Sequence, residues 1–396
     1  MDGTGPGPVR VTHFTEASAG GVRQHLRRII PRLRSRGVVV DLILSPLRAE
    51  PDFGRDLDLY HSLGCRVKLC PIARGVSLWQ DLRACREIRR TLRDWNPHVV
   101  HTHATKAGLL GRIAAAPLTD VRTVHSPHAF PLEEFRVVMQ QNLFVKLERR
   151  LARATSLFVL VSRSEKDVAT NVFGIRERQI RVVENGVEPD LASCLESRED
   201  ARGALGIERP GLAVAVPGRL VHQKGQDWLL QAVAHIRPGP YAMHFYFCGA
   251  GEDEHQLREA SERLGVADQV TWLGRVPELV TKLTAFDLVV LPSRYEGLSY
   301  MLLETLCAGI PLVVSDIEGH FPRDEIREHV VSVPLEDKVG LGEALSAFAE
   351  SAAGHPPDAT WGRQFVRTHF SVDVQVEKLM ACYRELVPSC ASQCTP

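Results

Sequence analysis

Two glutamates, Glu296 and Glu304, stand eight residues apart in the stretch SRYEGLSYMLLETLCAGIPLV, residues 293–313. Gly297, Leu298 and Ser299 follow the first, and an apolar helical pattern surrounds the second. Upstream, residues 288–291 form a short apolar run that reads as a buried parallel strand. Residues 301–308 read as a short buried helix, with Gly309 as its stop and a further strand over 310–314. In such a unit the loop before the helix lies at the carboxyl end of a parallel sheet, where open α/β sheets bind ligands. Backbone N–H groups of Gly297, Leu298 and Ser299, at a helix N-terminus, favour an anion. Carboxylates beside that anion accept hydrogen bonds from neutral hydroxyls. An anion cradle with two hydroxyl acceptors suits a sugar diphosphate. The competing reading is a solvated loop charge and a helix-surface charge.

A second set lies in AVPGRLVHQKGQDWLL, residues 215–230. Arg219 follows a strand, and Lys224-Gly225 precedes a helix. A forked guanidinium and a point-charge ammonium at a loop–helix junction are the means of holding a diphosphate. The spacing is not that of a Walker loop. CGAGEDE, residues 248–254, offers a lone Gly-x-Gly with Glu254 where a third glycine would stand, so a dinucleotide fingerprint is incomplete. Its acids read as a helix start. Gly20 and Gly21 follow the first strand and open a basic helix, making a loop at the sheet's carboxyl edge. HTH (residues 101–103) and HSPHAF (residues 125–130) follow strands on that same edge. No carboxylate or cysteine has metal-ligand spacing to these histidines, so no metal site is expected.

Repeated strand–helix alternation must position these residues. It runs from residue 9 to about 187, pauses in a polar, breaker-rich linker over 188–210, and resumes over 211–370. Residues 1–8 are Gly/Pro-rich and expected to be disordered. Residues 371–396 form a last helix and tail, the helix a candidate to pack back on the first domain. A chain of 396 residues suits two domains. Nine scattered cysteines suggest free thiols in a reducing compartment. No leader and no spanning apolar run is evident, so a cytoplasmic protein is expected. The zero net charge divides unevenly: residues 1–190 hold 30 Lys+Arg against 20 Asp+Glu, and the remainder 18 against 28. The basic half suits an anionic partner. Arg23, Arg27, Arg28, Arg32, Arg34 and Arg36 crowd one helix and its end, and residues 143–153 form a second basic amphipathic helix, so an anionic membrane surface is one candidate partner. Nucleic acid is not expected.

EGLSYMLLE, GRLVHQKG, ENGVE (residues 184–188) and the early GG, in this order, resemble the retaining glycosyltransferases of family 4. KAGLLGRIAA (residues 106–115) and SPHAF resemble their bacterial envelope-polysaccharide branch, although Ala129 stands where that branch often has glycine. The resemblance implies a GT-B architecture, two facing Rossmann-like doubly wound domains with a cleft between them. It implies sugar transfer from a nucleotide-diphosphate sugar, built on uridine or guanosine, to a glycan or lipid-linked acceptor. Glu304 would hold the ribose, and Glu296 the donor sugar. Arg219 and Lys224 would neutralise the diphosphate without a metal or cofactor. Gly297, Leu298 and Ser299 would offer backbone donors, while Gly20 and Gly21 would lie against phosphate and acceptor. His128 would sit near the reacting sugar. An NAD-dependent nucleotide-sugar enzyme lacks its glycine fingerprint here. A catalytically inactive binding protein of the same fold would not need all of Glu296, Glu304, Arg219 and Lys224.

Overall fold

The structure is a computed structural model that describes residues 7–47, 49–73, 75–130, 138–237, 239–351 and 359–388. Most of the opening stretch expected to be disordered, residues 1–6, and the end of the C-terminal tail, residues 389–396, lie outside the described residues. The chain divides into two compact units. One is Met1–Asn185 with Val372–Pro396, and the other is Gly186–Ser371.

The first unit carries a seven-stranded sheet. Its strands are Arg10–Thr15 (β1), Val39–Leu44 (β2), Val67–Leu69 (β3), Val99–His103 (β4), Arg122–Ser126 (β5), Leu157–Leu160 (β6) and Ile180–Val182 (β7). All pair in parallel in the order β3-β2-β1-β4-β5-β6-β7. The chain therefore reverses its direction of travel between β1 and β4, which opens a crevice at their carboxyl ends. One face of the sheet packs on the helix Gly20–Ser35 and on the C-terminal helix Val372–Leu386, through Leu26, Ile29, Val376 and Leu379. The other packs on the helices Leu78–Trp95 and Thr105–Ala115, through Phe14, Ile88 and Leu110.

The second unit repeats the plan with Leu212–Pro217 (β8), Met243–Cys248 (β9), Val270–Gly274 (β10), Leu288–Leu291 (β11), Leu312–Ser315 (β12) and Val331–Val333 (β13). Its order, β10-β9-β8-β11-β12-β13, places a reversal between β8 and β11. The stretch expected as a linker belongs to this unit and is partly helical, at Leu191–Cys194 and Arg198–Leu205. Helix Ala359–His369, which the alternation pattern does not announce, packs on helix Tyr300–Ala308. Every residue of β8's inner four and of β9 and β11 is buried, as two-sided coverage of a parallel sheet requires. The described cysteines are free thiols, all buried except Cys194.

Candidate donor site and histidine cluster

In the second unit, both candidate loops leave the sheet at its reversal point. After β8 come Gly218 and Arg219, the 3-10 turn His222–Lys224, and the helix Gln226–Val233. Gly225 joins turn to helix in the left-handed region, at φ +67°, and a Cβ there would collide with the Pro292 carbonyl. That close approach brings the loop after β11 against it. Trp228 Nε1 donates to Pro292 O at 2.8 Å, and Gln223 Nε2 donates to Tyr295 O at 3.0 Å. Arg294 clamps the pair of loops: it donates to both Asp227 oxygens at 2.7 and 2.8 Å, to Glu336 at 2.7 Å and to His222 O at 2.8 Å. Loops cross-linked in this way present their charged groups in a fixed geometry.

Lys224 Nζ then reaches Glu296 Oε1 at 2.5 Å, where Ser293 Oγ also donates at 2.8 Å. Burial pushes the Glu296 carboxyl up, but the charges of Lys224 and His320 and the two hydrogen bonds outweigh it, so the group ends below its ordinary range. His320 is fully buried and binds Ser315 O through Nδ1 at 2.9 Å. Ser299 caps the helix Tyr300–Ala308 by accepting from Leu302 N at 3.3 Å. Gly309 ends that helix at φ +74°. Glu304 lies within this helix and is 1 % exposed, so it is not a helix-surface charge. A buried carboxylate is retained only where it is paired or has a partner to serve. Arg219 is exposed, with Nη2 3.4 Å from Gln223 Oε1. The glycines of CGAGEDE serve packing: a Cβ at Gly249 or Gly251 would strike the backbone at Gly218 or Leu220.

The first-unit candidates fall differently. Gly20 opens its helix, but its N–H donates to Glu50 Oε1 at 3.0 Å. Glu50 is in turn bound by Arg23. A carboxylate of the chain itself thus occupies that backbone donor. Gly21 is the next residue of the same helix. The arginines of this helix are largely tied down as well. Arg23 binds Asp56 and Asp52, Arg32 and Arg36 bind Asp373, and Arg34 binds the backbone at Leu63 and Val38. Glu16 accepts from Lys106 N and Ala107 N at 3.0 and 2.9 Å, filling the N-terminus of helix Thr105–Ala115.

His128 follows β5 in the left-handed region at φ +56°, and Ala129 follows at φ +96°. Glu165, a residue the sequence reading passed over, holds this turn by accepting from Ala129 N, and it also accepts from Val161 N at 2.8 Å. Burial raises its carboxyl to about 7. His128 does not stand alone. Nitrogens of His25, His103 and His128 lie within 4.8 Å of one another, as do those of His13, His101 and His103. His13 and His25 were not among the expected candidates. The available signal was polar residues inside buried strands, RVTHFT and VVHTH, where a two-sided parallel sheet calls for apolar ones. Register explains the gathering: His13 pairs with His101, and His103 with Ser126, so these side chains share one sheet face. His125 faces the other way. It is buried against Thr102, Phe158 and the backbone of Gly108, where any Cβ would meet its ring.

With this geometry in hand, similarity to known proteins adds a consistent picture. The profile Glycosyltransferase Family 4 matches residues 19–191, and Glycosyl transferases group 1 matches residues 212–351. An Escherichia coli protein, UDP-Gal:alpha-D-GlcNAc-diphosphoundecaprenol alpha-1,3-galactosyltransferase, is 27% identical over 63% of this chain and 65% of its own length. The 2-deoxystreptamine N-acetyl-D-glucosaminyltransferase of Streptomyces fradiae is 27% identical over 88% of this chain and 85% of its own. Across the first three curated relatives the match spans between 45% and 65% of their length. The crystal structure of Anabaena HepE with UDP and glucose superimposes with a TM-score of 0.78 at 20% identity, covering 95% of this chain and 100% of that one. The two parallel, doubly wound sheets are those of the GT-B fold, and the chain belongs to the family 4 glycosyltransferases.

Proposed function

We propose that the protein transfers a sugar, with retention at the anomeric carbon, from a nucleotide-diphosphate sugar to a hydroxyl of a glycan or lipid-linked acceptor in surface-polysaccharide synthesis. The observation that carries this reading is the Lys224–Glu296 contact at the reversal point of the second sheet, with Glu304 buried in the helix that follows. Lys224 and Arg219 neutralise the diphosphate leaving group, in place of a metal ion. Backbone N–H groups at Gly297, Leu298 and Ser299 add the helix-terminal dipole. Glu296 accepts from hydroxyls of the donor sugar, and Glu304 from the ribose. In the reaction the bond between the anomeric carbon and the phosphate oxygen breaks. A bond from that carbon to the acceptor oxygen forms on the same face, and the acceptor's proton passes to the departing phosphate. His128 contributes a hydrogen-bonding group for a substrate hydroxyl.

Solved structures of HepE hold UDP and UDP-glucose, and the Escherichia coli relative is named for a UDP-sugar and a diphosphoundecaprenol acceptor. These favour a uridine donor and a lipid diphosphate acceptor. No described helix is long and apolar enough to cross a membrane. We place the protein in the cytoplasm, with contact to an anionic membrane through basic residues of the first unit. Arg122, Arg149, Arg153, Arg176, Arg178 and Arg181 line one groove there; Arg181 pairs with Glu385, but as a set they suit that contact better than the largely ion-paired arginines of the first helix. A second reading follows from the Streptomyces relative, whose match spans most of both chains: a small aminocyclitol acceptor in place of a lipid. Release of nucleoside diphosphate, measured across UDP- and GDP-sugars with a lipid diphosphate or an aminocyclitol as acceptor, separates these readings. No release with any donor, alongside a thermal shift with NAD, would overturn the transferase assignment.

A further inference from the structure

Hydrogen bonds on one face of the first sheet form a chain whose direction is settled at one end. Val159 O can only accept, so the single proton of Ser126 Oγ points to it, at 2.7 Å. Ser126 must then accept from His101 Nε2–H at 2.9 Å. A neutral His101 has a bare Nδ1, which accepts from the Tyr383 hydroxyl at 2.7 Å. The Tyr383 oxygen accepts in turn from His13 Nε2–H, at 3.5 Å. His13 Nδ1 is therefore bare and accepts from His103 Nε2–H at 2.9 Å. His103 Nδ1 accepts from His128 Nε2–H, also at 2.9 Å. Each ring has one donor and one acceptor nitrogen, so every step follows from the one before.

This direction holds for neutral rings, and the surroundings keep them neutral. His13, His101 and His103 are fully buried and Tyr383 nearly so. Burial lowers His13 to about 3 and His128 to about 4, and holds His101 and His103 well below the ordinary range. Gln375, on the same C-terminal helix as Tyr383, bonds His25 Nδ1 at 3.2 Å, and the His25 ring packs edgewise on His128 at 4.7 Å between centroids.

We propose that Tyr383, His13 and His103 are positioning residues for His128: the one-way chain from the Val159 carbonyl fixes His128 as the Nε2–H tautomer and leaves its Nδ1 lone pair as the acceptor for a substrate hydroxyl. This deepens the role given to His128 above and rests on it. It also gives the C-terminal helix a task besides packing, since its Tyr383 closes the chain. A metal ion at the His13, His101 and His103 triad would need lone pairs that these hydrogen bonds already use.

The test is long-range proton–nitrogen NMR on the full chain labelled at histidine, with His128 assigned through His128→Gln. The expected pattern at neutral pH is Nε2–H with unprotonated Nδ1 for His128, His103 and His13. Tyr383→Phe removes one donor and one acceptor from the chain. It should give mixed tautomers at His13 and His128 and lower kcat about tenfold with the donor KM unchanged, the scale of losing an outer hydrogen-bond partner. His103→Asn, which keeps one donor and one acceptor, should perturb the His128 tautomer less than His103→Leu. Nδ1–H at His128, Tyr383→Phe with an unchanged tautomer pattern, or stoichiometric Zn²⁺ binding that displaces the N–H signals would overturn the proposal. The NMR readout needs no donor or acceptor. If the tautomers are as expected but His128→Ala keeps full turnover, the chain stands and the substrate role of His128 fails.

Discussion

Lys224 Nζ and Glu296 Oε1, 72 residues apart in the chain, meet at 2.5 Å where β8 and β11 end. The pairing holds a cation and a carboxylate together at the loop–helix junction. A cation held in a fixed position in this way meets the condition for strong charge stabilisation in a transition state.

Lys224→Ala and Arg219→Ala should each lower turnover by roughly 10²–10³, the scale of removing one preorganised stabilising group. Melting temperature should change little for Arg219→Ala, because that side chain is exposed. Activity should persist in EDTA. Steady-state kinetics with and without chelator checks both points, and strict dependence on Mg²⁺ or Mn²⁺ would contradict the metal-free leaving-group stabilisation.

Ala129→Gly should stabilise the protein. A residue with a Cβ at φ +96° is strained, and a glycine there is not. Relief of about 1 kcal/mol is expected, or about 2–4 °C in a unit of this size. Gly225→Ala should do the opposite, since its Cβ would strike Pro292 O. Calorimetry of the two variants gives the signs.

Stability should fall as pH drops below about 6.5, the unfolded histidine value. His13 and His128 titrate at about 3 and about 4 in the fold, and His25, His101, His103 and His125 lie well below the ordinary value. Between these limits the unfolded chain binds more protons than the folded one. Each such group therefore contributes a slope of up to about 1.4 kcal/mol per pH unit, and none above pH 7. Glu165, raised to about 7, works in the opposite sense as a single group. Urea unfolding at pH 7.5, 6 and 5 measures the trend; equal stability at all three would contradict neutral burial of the cluster.

The strands β8 and β11, the helix after Glu296 and its glycine stop were legible because they are local: short apolar runs, a cap and a breaker. What joins them was not. Arg294 and Asp227 look like ordinary surface charges until the fold brings them to 2.7 Å. The arginines of the first helix show the same gap in reverse. Their charge is plain in the sequence, but the partners Glu50, Asp52, Asp56 and Asp373 lie in other segments and turn much of a basic face into internal ion pairs. His13 and Tyr383 are 370 residues apart, and no periodicity connects them. Three-residue strands such as β3 carry too few positions to show alternation at all.

The assignment of one glutamate to the ribose and the other to the sugar is tested most directly by calorimetric titration of UDP into the wild type, Glu304→Ala and Glu296→Ala. UDP carries the ribose but lacks the transferred sugar. Losing a charged hydrogen-bond acceptor costs about 1.5–3 kcal/mol, so Glu304→Ala should weaken UDP binding by roughly 10- to 100-fold. Glu296→Ala should leave UDP affinity near wild type while turnover with a UDP-sugar falls. Equal UDP affinity in the wild type and Glu304→Ala, or a loss confined to Glu296→Ala, would contradict the placement of the two carboxylates.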